Sequence, residues 1–207
     1  MRVLAHVHTF NDADIIDRTV EAVLKQTRPV DGLLIVDNAS RDATLEQASI
    51  KNAIVVRHSQ NLGTSGTVVT GMKYAIEHGY DWIWVFDADS LVAPDALEKL
   101  LALYRDLPQA VQQETAFLGC MARNLVGNQP WYGSIFTERG IEIVNPPREP
   151  RYFNCHAYIW SGCLYRLAAV KKIGLPNADY VLDCGEDEYG YRIMKAEIGR
   201  ASCRERV

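Results

Sequence analysis

The chain opens on Val3-Leu4-Ala5-His6-Val7, a short β-favouring run, and between Asp12 and Lys25 the apolar residues Ile15, Ile16, Val20, Val23 and Leu24 recur close to helical spacing. This pattern predicts a strand followed by a helix. Leu33-Leu34-Ile35-Val36 is an unbroken apolar run, as in a strand buried on both faces, and it ends in the polar cluster Asp37-Asn38-Ala39-Ser40-Arg41-Asp42. A short helix over 44–48 and a third strand over 53–56 follow. Asn61-Leu62-Gly63-Thr64-Ser65-Gly66 then opens a helix carrying Val69, Met72 and Ile76, with Gly79 placed to close it. Trp82-Ile83-Trp84-Val85-Phe86 is the fourth strand. The alternation β-α-β-α-β-α-β implies an α/β domain with a mainly parallel sheet and right-handed crossovers.

Beyond Pro94, a helix over 95–107 is the last regular element of this series. Residues 116–121 and 157–161 read as strands, 163–172 turns helical, and 186–195 reads as a final helix. The stretch 126–151 is rich in Gly, Pro and Asn without a clear period, which predicts a long loop beside a site. There is no repeat or interdomain linker, so residues 1–196 are expected to be one domain. Residues 197–207 (Glu-Ile-Gly-Arg-Ala-Ser-Cys-Arg-Glu-Arg-Val) resemble the translation of a sequencing adapter. They are expected to be a non-native tail that packs on nothing, following a domain cut short at its C-terminal end.

Composition narrows the function classes. Among 207 residues, 22 Lys+Arg stand against 26 Asp+Glu, for a formal charge of −4, so no basic surplus is available for a nucleic-acid backbone. No apolar stretch approaches the ~18 residues of a membrane span, and the N-terminus lacks a signal peptide's pattern. The expected location is the cytoplasm, or the inner face of the membrane. Five scattered cysteines, with no C-x-x-C pair, indicate neither a disulfide framework nor a zinc site. The five histidines show no ligand spacing.

In an open parallel sheet, ligands bind beyond the C-terminal strand ends. Here those ends are polar: Thr9-Phe10-Asn11, Asp37-Asn38, Ser59-Gln60-Asn61 and Asp87-Ala88-Asp89. In an extended segment residues i and i+2 project to one side, so Asp87 and Asp89 can share a hard cation such as Mg²⁺ or Mn²⁺, whose shell is completed by water and phosphate oxygens. A polar turn ending a strand is the plainer alternative. The apolar run before it and the other polar strand ends favour metal and diphosphate binding.

Taken in order, Ile35-Val36-Asp37-Asn38-Ala39-Ser40-Arg41-Asp42-Ala43-Thr44, Asn61-Leu62-Gly63, Gly71-Met72, the run from Asp81 to Asp89, and Pro94-Asp95-Ala96-Leu97 resemble the inverting family 2 glycosyltransferases of GT-A fold. The rhamnosyl- and galactofuranosyltransferase-like group is the most similar, and the resemblance spans 3–195. It implies transfer of a sugar from a nucleoside-diphosphate donor, such as a UDP- or dTDP-sugar, to a hydroxyl of a glycan or lipid-linked acceptor, with inversion and metal assistance, as in polysaccharide biosynthesis. It further implies donor contacts at Thr9, Asn11, Asp37, Asn61, Gly63 and Asp87, and metal ligation by Asp87 and Asp89. An Asx turn is compatible with the role of Asp37. Free N–H groups at the helix start after Gly63 and Gly66 could approach a phosphate.

A second acidic cluster, Asp183-Cys184-Gly185-Glu186-Asp187-Glu188-Tyr189, matches the family's D-x-x-D-x-E-(aromatic) pattern. The resemblance puts the general base at Glu186, where Asp is usual, with Asp187 as rival. Acids at a helix start also simply complement its dipole. Trp160 and Glu188 are the implied acceptor-binding residues, although a core tryptophan is the commoner fate. Two rivals are a sugar-phosphate nucleotidyltransferase, whose Gly-rich basic loop after the first strand is missing from His8-Thr9-Phe10-Asn11-Asp12, and an inactive nucleotide-sugar-binding scaffold.

Overall fold

The computed structural model describes residues 1–124, 126–144, 152–181, 184–196 and 200–204. Its first half follows the predicted alternation: β1 (Val3–Thr9), α1 (Ile16–Leu24), β2 (Gly32–Asp37), two 3₁₀ turns (Thr44–Glu46 and Ala48–Asn52), β3 (Ile54–Arg57), α2 (Gly63–Glu77), β4 (Trp82–Asp87) and α3 (Ala96–Asp106). The second half is α4 (Gln109–Glu114), β5 (Thr115–Cys120), the hairpin β6 (Gly133–Thr137) and β7 (Gly140–Val144), β8 (Tyr152–Cys155), β9 (Cys163–Arg166), α5 (Leu167–Ile173), α6 (Gly185–Lys195) and β10 (Arg200–Arg204).

The main sheet runs β3-β2-β1-β4-β9-β5-β10-β8. β1 to β4 are parallel neighbours, while β9 lies antiparallel between β4 and β5. Strand alternation sends successive residues to opposite faces. Leu4, Leu34, Val36, Ile83 and Val85 therefore pack beneath Val68 and Met72 of α2, Val170 of α5, and Tyr189 and Ile193 of α6. On the other face Val3, Ala5, Val7, Ile35, Trp82, Trp84 and Phe86 meet Val20 and Val23 of α1 and Leu97 and Leu100 of α3. Burial on both faces accounts for the unbroken apolar runs of β2 and β4. Gly79 closes α2 as predicted: its φ of +70° lets its N–H reach Ile76 O at 3.3 Å while Tyr80 N–H reaches Ala75 O at 3.0 Å.

Three expectations are corrected. Residues 157–161 are not a strand; the strand lies at Cys163–Arg166, within the segment read as helical, and the helix starts only at Leu167. Tyr158 and Trp160 are apolar because they are buried, at 3% and 4% exposure, not because they pair in a sheet. The aperiodic stretch 126–151 contains the β6–β7 hairpin, with 145–151 outside the described residues. Nor does 200–204 stand clear of the fold, since it pairs parallel to β5 and antiparallel to β8. A ladder is made by backbone groups, so an open edge accepts an extended segment whatever its side chains. Among the described residues no helix is long and apolar enough to cross a membrane.

Candidate functional site

Parallel pairing aligns the C-terminal strand ends: Thr9 is level with Asp37, Asp37 with Arg57, and His8 with Asp87. Above them lie two open crevices. The larger, about 840 Å³, is lined by Phe10, Asn11, Ser40, Arg41, Arg57 and Asn61 among others. The smaller, about 330 Å³, is lined by residues including His8, Thr9, Asp12, Asn61, Gly63, Asp87 and Asp89. Phe10 and Asn61 border both.

The D-x-D segment is pinned from behind, where Thr19 Oγ1 donates to Ala88 O at 2.6 Å and buries Ala88. Asp87 and Asp89 are thereby turned to the crevice. Asp87 lies 2.5 Å from His8 Nε2, its N–H donates to Ser161 Oγ at 3.3 Å, and Ser161 is bonded in turn to Ser90. Burial pushes the Asp87 carboxyl up, but His8 and Ser161 outweigh it and hold the group below its ordinary value of 3.8. Asp89 is raised instead, by burial first and then by the neighbouring charges of Asp87 and Asp12. Asp12, Asp87 and Asp89 thus gather at the crevice. Among the described residues no group of three or more His, Cys, Asp or Glu side chains forms a closed metal cage. Two carboxylates, Asp87 and Asp89, line this crevice, and carboxylate oxygens are the donors that a hard divalent cation takes.

The strand-end residues of β1 to β3 are linked to one another. Asp37 is fully buried, with Oδ2 3.1 Å from Arg57 Nε and Oδ1 accepting Ser40 N–H at 3.1 Å. It faces Arg57, and Arg57 faces the crevice. Thr9, 2% exposed, donates to Asp12 Oδ2 at 2.8 Å. Asn11 accepts Arg41 N–H at 2.8 Å, tying the β1 loop to the β2 loop. Asn11 and Ala39 hold left-handed backbones, φ 60° and 70°. Asparagine tolerates that conformation, whereas alanine is strained in it, as residues at ligand sites often are. Asn61 Oδ1 takes Asn38 Nδ2–H at 2.6 Å and Gly63 N–H at 2.8 Å. At the start of α2, Thr64 N–H donates to Val181 O at 3.1 Å.

The second acidic cluster starts α6. Glu186 and Asp187 are half-buried in its first turn, and Asp183 lies outside the described residues. Burial chiefly raises the Cys163 thiol and the Tyr165 hydroxyl, and the charge of Glu186 adds to both. Cys163 lies on β9 and pairs with Val85 of β4, two residues before Asp87. Trp160 and Glu188 are placed elsewhere than expected. Trp160 is buried against Tyr165 and Tyr189 at ring separations of 5.5 and 6.0 Å, leaving no indole face for a sugar. Glu188 is spent on Arg192, 2.6 Å away, one turn along the helix. His8, Asp12, Arg57 and Ser161 were missed in the sequence. Only strand register and loop packing bring them to the site, and neither is written as a motif.

Comparison with known proteins matches residues 5–174 to the family described as glycosyl transferase family 2. The chain is 31% identical over 206 residues to an undecaprenyl-phosphate mannosyltransferase of Micrococcus luteus, covering 97% of this chain and 69% of the relative. It is 26% identical to the galactofuranosyltransferase GlfT1 of Mycobacterium tuberculosis, covering 97% and 67%. Among solved structures, GalNAc-T7 with UDP, GalNAc and Mn²⁺ superposes with a TM-score of 0.76 at 15% identity, over 99% of this chain and 42% of the other. The chain thus spans about two thirds of these curated relatives and less than half of that solved chain.

Proposed function

The chain belongs to glycosyl transferase family 2 and has the GT-A fold, and from that premise we propose that it transfers a sugar, with inversion, from a UDP- or dTDP-sugar to a hydroxyl of a glycan or lipid-linked acceptor. The observation that carries this reading is the pair Asp87 and Asp89, aimed into a crevice that the ends of β1 and β4 share with the start of α2. Asp87 and Asp89 hold Mg²⁺ or Mn²⁺ there, and the cation, when bound, supplies the positive charge that a departing diphosphate needs. Asn11, Arg41, Arg57 and Asn61 line the neighbouring space for the nucleoside, with Asp37 orienting Arg57 from below. Inversion requires a carboxylate on the acceptor side to take the hydroxyl proton as the new bond forms. Glu186 or Asp187 is that base. The relatives' names, an undecaprenyl-phosphate transferase among them, support a lipid-linked acceptor and activity at a membrane surface.

Nucleoside diphosphate binding tests this reading. UDP, dTDP and GDP are titrated calorimetrically with Mn²⁺ or with EDTA. One of them is expected to bind with Mn²⁺ and to lose most of that affinity in EDTA and in Asp89→Ala. Undiminished affinity in both conditions would remove the cation from the account.

A further inference from the structure

The β1–β4 register puts His8 level with Asp87, and His8 Nε2 lies 2.5 Å from Asp87 Oδ1. His8 is nearly buried and lines the cation crevice. Nothing in the donor or acceptor chemistry accounts for an imidazole at this point. We propose that His8 is the positioning residue of the D-x-D pair: its Nε2–H fixes one oxygen of Asp87 so that the other is presented to the cation. The inference rests on the cation reading given above.

The physical need is clear. A carboxylate on a strand end turns about two bonds, and a ligand that must first be ordered binds its metal less tightly. Groups that hydrogen-bond a metal ligand from behind remove that cost, and losing one typically lowers metal affinity about 10- to 100-fold. On the structure Asp87 Oδ1 has His8, and the backbone N–H of Asp87 has Ser161. Behind His8 stands His6, fully buried, its ring centroid 5.6 Å from that of His8. The His8 ring is thus flanked by a buried ring while its Nε2 lies beside Asp87 Oδ1.

The test measures Mn²⁺ affinity by electron paramagnetic resonance on the whole chain, with inorganic pyrophosphate so that base identity does not enter. Wild type, Asp89→Ala, His8→Leu, His8→Gln and His8→Asn are compared. Gln carries its amide nitrogen about as far out as Nε2, whereas Asn stops short of Asp87. The expected result is a loss of about 10- to 100-fold in His8→Leu and His8→Asn, with His8→Gln near wild type. A general packing defect would not spare Gln while penalising Asn, and if Leu fails to fold, the Asn–Gln comparison carries the test. Equal affinity in wild type, Asn and Gln, with Asp89→Ala still weakened, overturns the role of His8 and leaves the cation site standing. Absence of Mn²⁺ binding in the wild type overturns the cation reading, and the His8 inference with it.

Discussion

Asp87 and Asp89 are separated by one small residue, yet their acidities move in opposite directions: burial raises both, but His8 and Ser161 outweigh it at Asp87, while at Asp89 the charge of Asp87 adds to it. A comparable contrast is expected between the two acids at the start of α6. Glu186 and Asp187 are adjacent, so they stand about 100° apart around the helix and cannot both meet one acceptor hydroxyl. Glu186→Gln keeps size and most hydrogen bonding but cannot take the proton. Sugar transfer is expected to fall by a factor on the order of 10² to 10⁴ with donor binding nearly intact, while Asp187→Asn has a mild effect. Initial rates and donor affinities of the two variants check this. Severe loss only in Asp187→Asn would move the base to Asp187, and activity in both would place it outside this helix. The acids were legible in the sequence as a motif. The commitment of Glu188 to Arg192 was not, since an acid four residues before a basic side chain reads equally as an exposed helix pair.

The α2 helix shows how one element sets the geometry of the site. Its Gly71 lies against the ring of His6, where an added Cβ would stand 2.5 Å from Nδ1. The imidazole is fully buried, and burial, then the neighbouring His8, keep its pKa well below 6.5, so it packs as a neutral ring. Alanine has the higher helix propensity, worth about 1 kcal/mol over glycine. Here the overlap is expected to win: Gly71→Ala should lower unfolding stability by a net ~1–2 kcal/mol, read from urea denaturation midpoints at constant slope. A stabilised variant would mean that His6 has room to move. The βα units of the first half were legible because each strand pairs with a neighbour supplied by the same local alternation. β9 was not, because it enters antiparallel between β4 and β5, and its four residues carry no strand signal stronger than that of the buried run 157–161 before them.

At the scale of the whole molecule, the parallel half presents four strand ends in a row, and the second half sets β9 antiparallel beside β4 and packs α6 against α2 and β6. The first arrangement follows from chain order and right-handed crossovers, which is why its polar strand ends could be read together from the sequence. The second depends on long-range pairing around β9, so the distance from the acids of α6 to Asp87 could not be read from spacing. The pairing of 200–204 with β5 and β8 was equally hidden, since that ladder uses backbone alone. Both halves serve one claim, that this fold performs metal-dependent transfer from a nucleotide sugar. The most direct measurement is nucleoside diphosphate released from a panel of UDP-, dTDP- and GDP-sugars in the presence of a lipid-linked glycan acceptor and Mn²⁺. Release is expected from one donor, abolished by EDTA and reduced at least ~100-fold in Asp89→Ala; release that proceeds equally in EDTA and in Asp89→Ala would contradict the account.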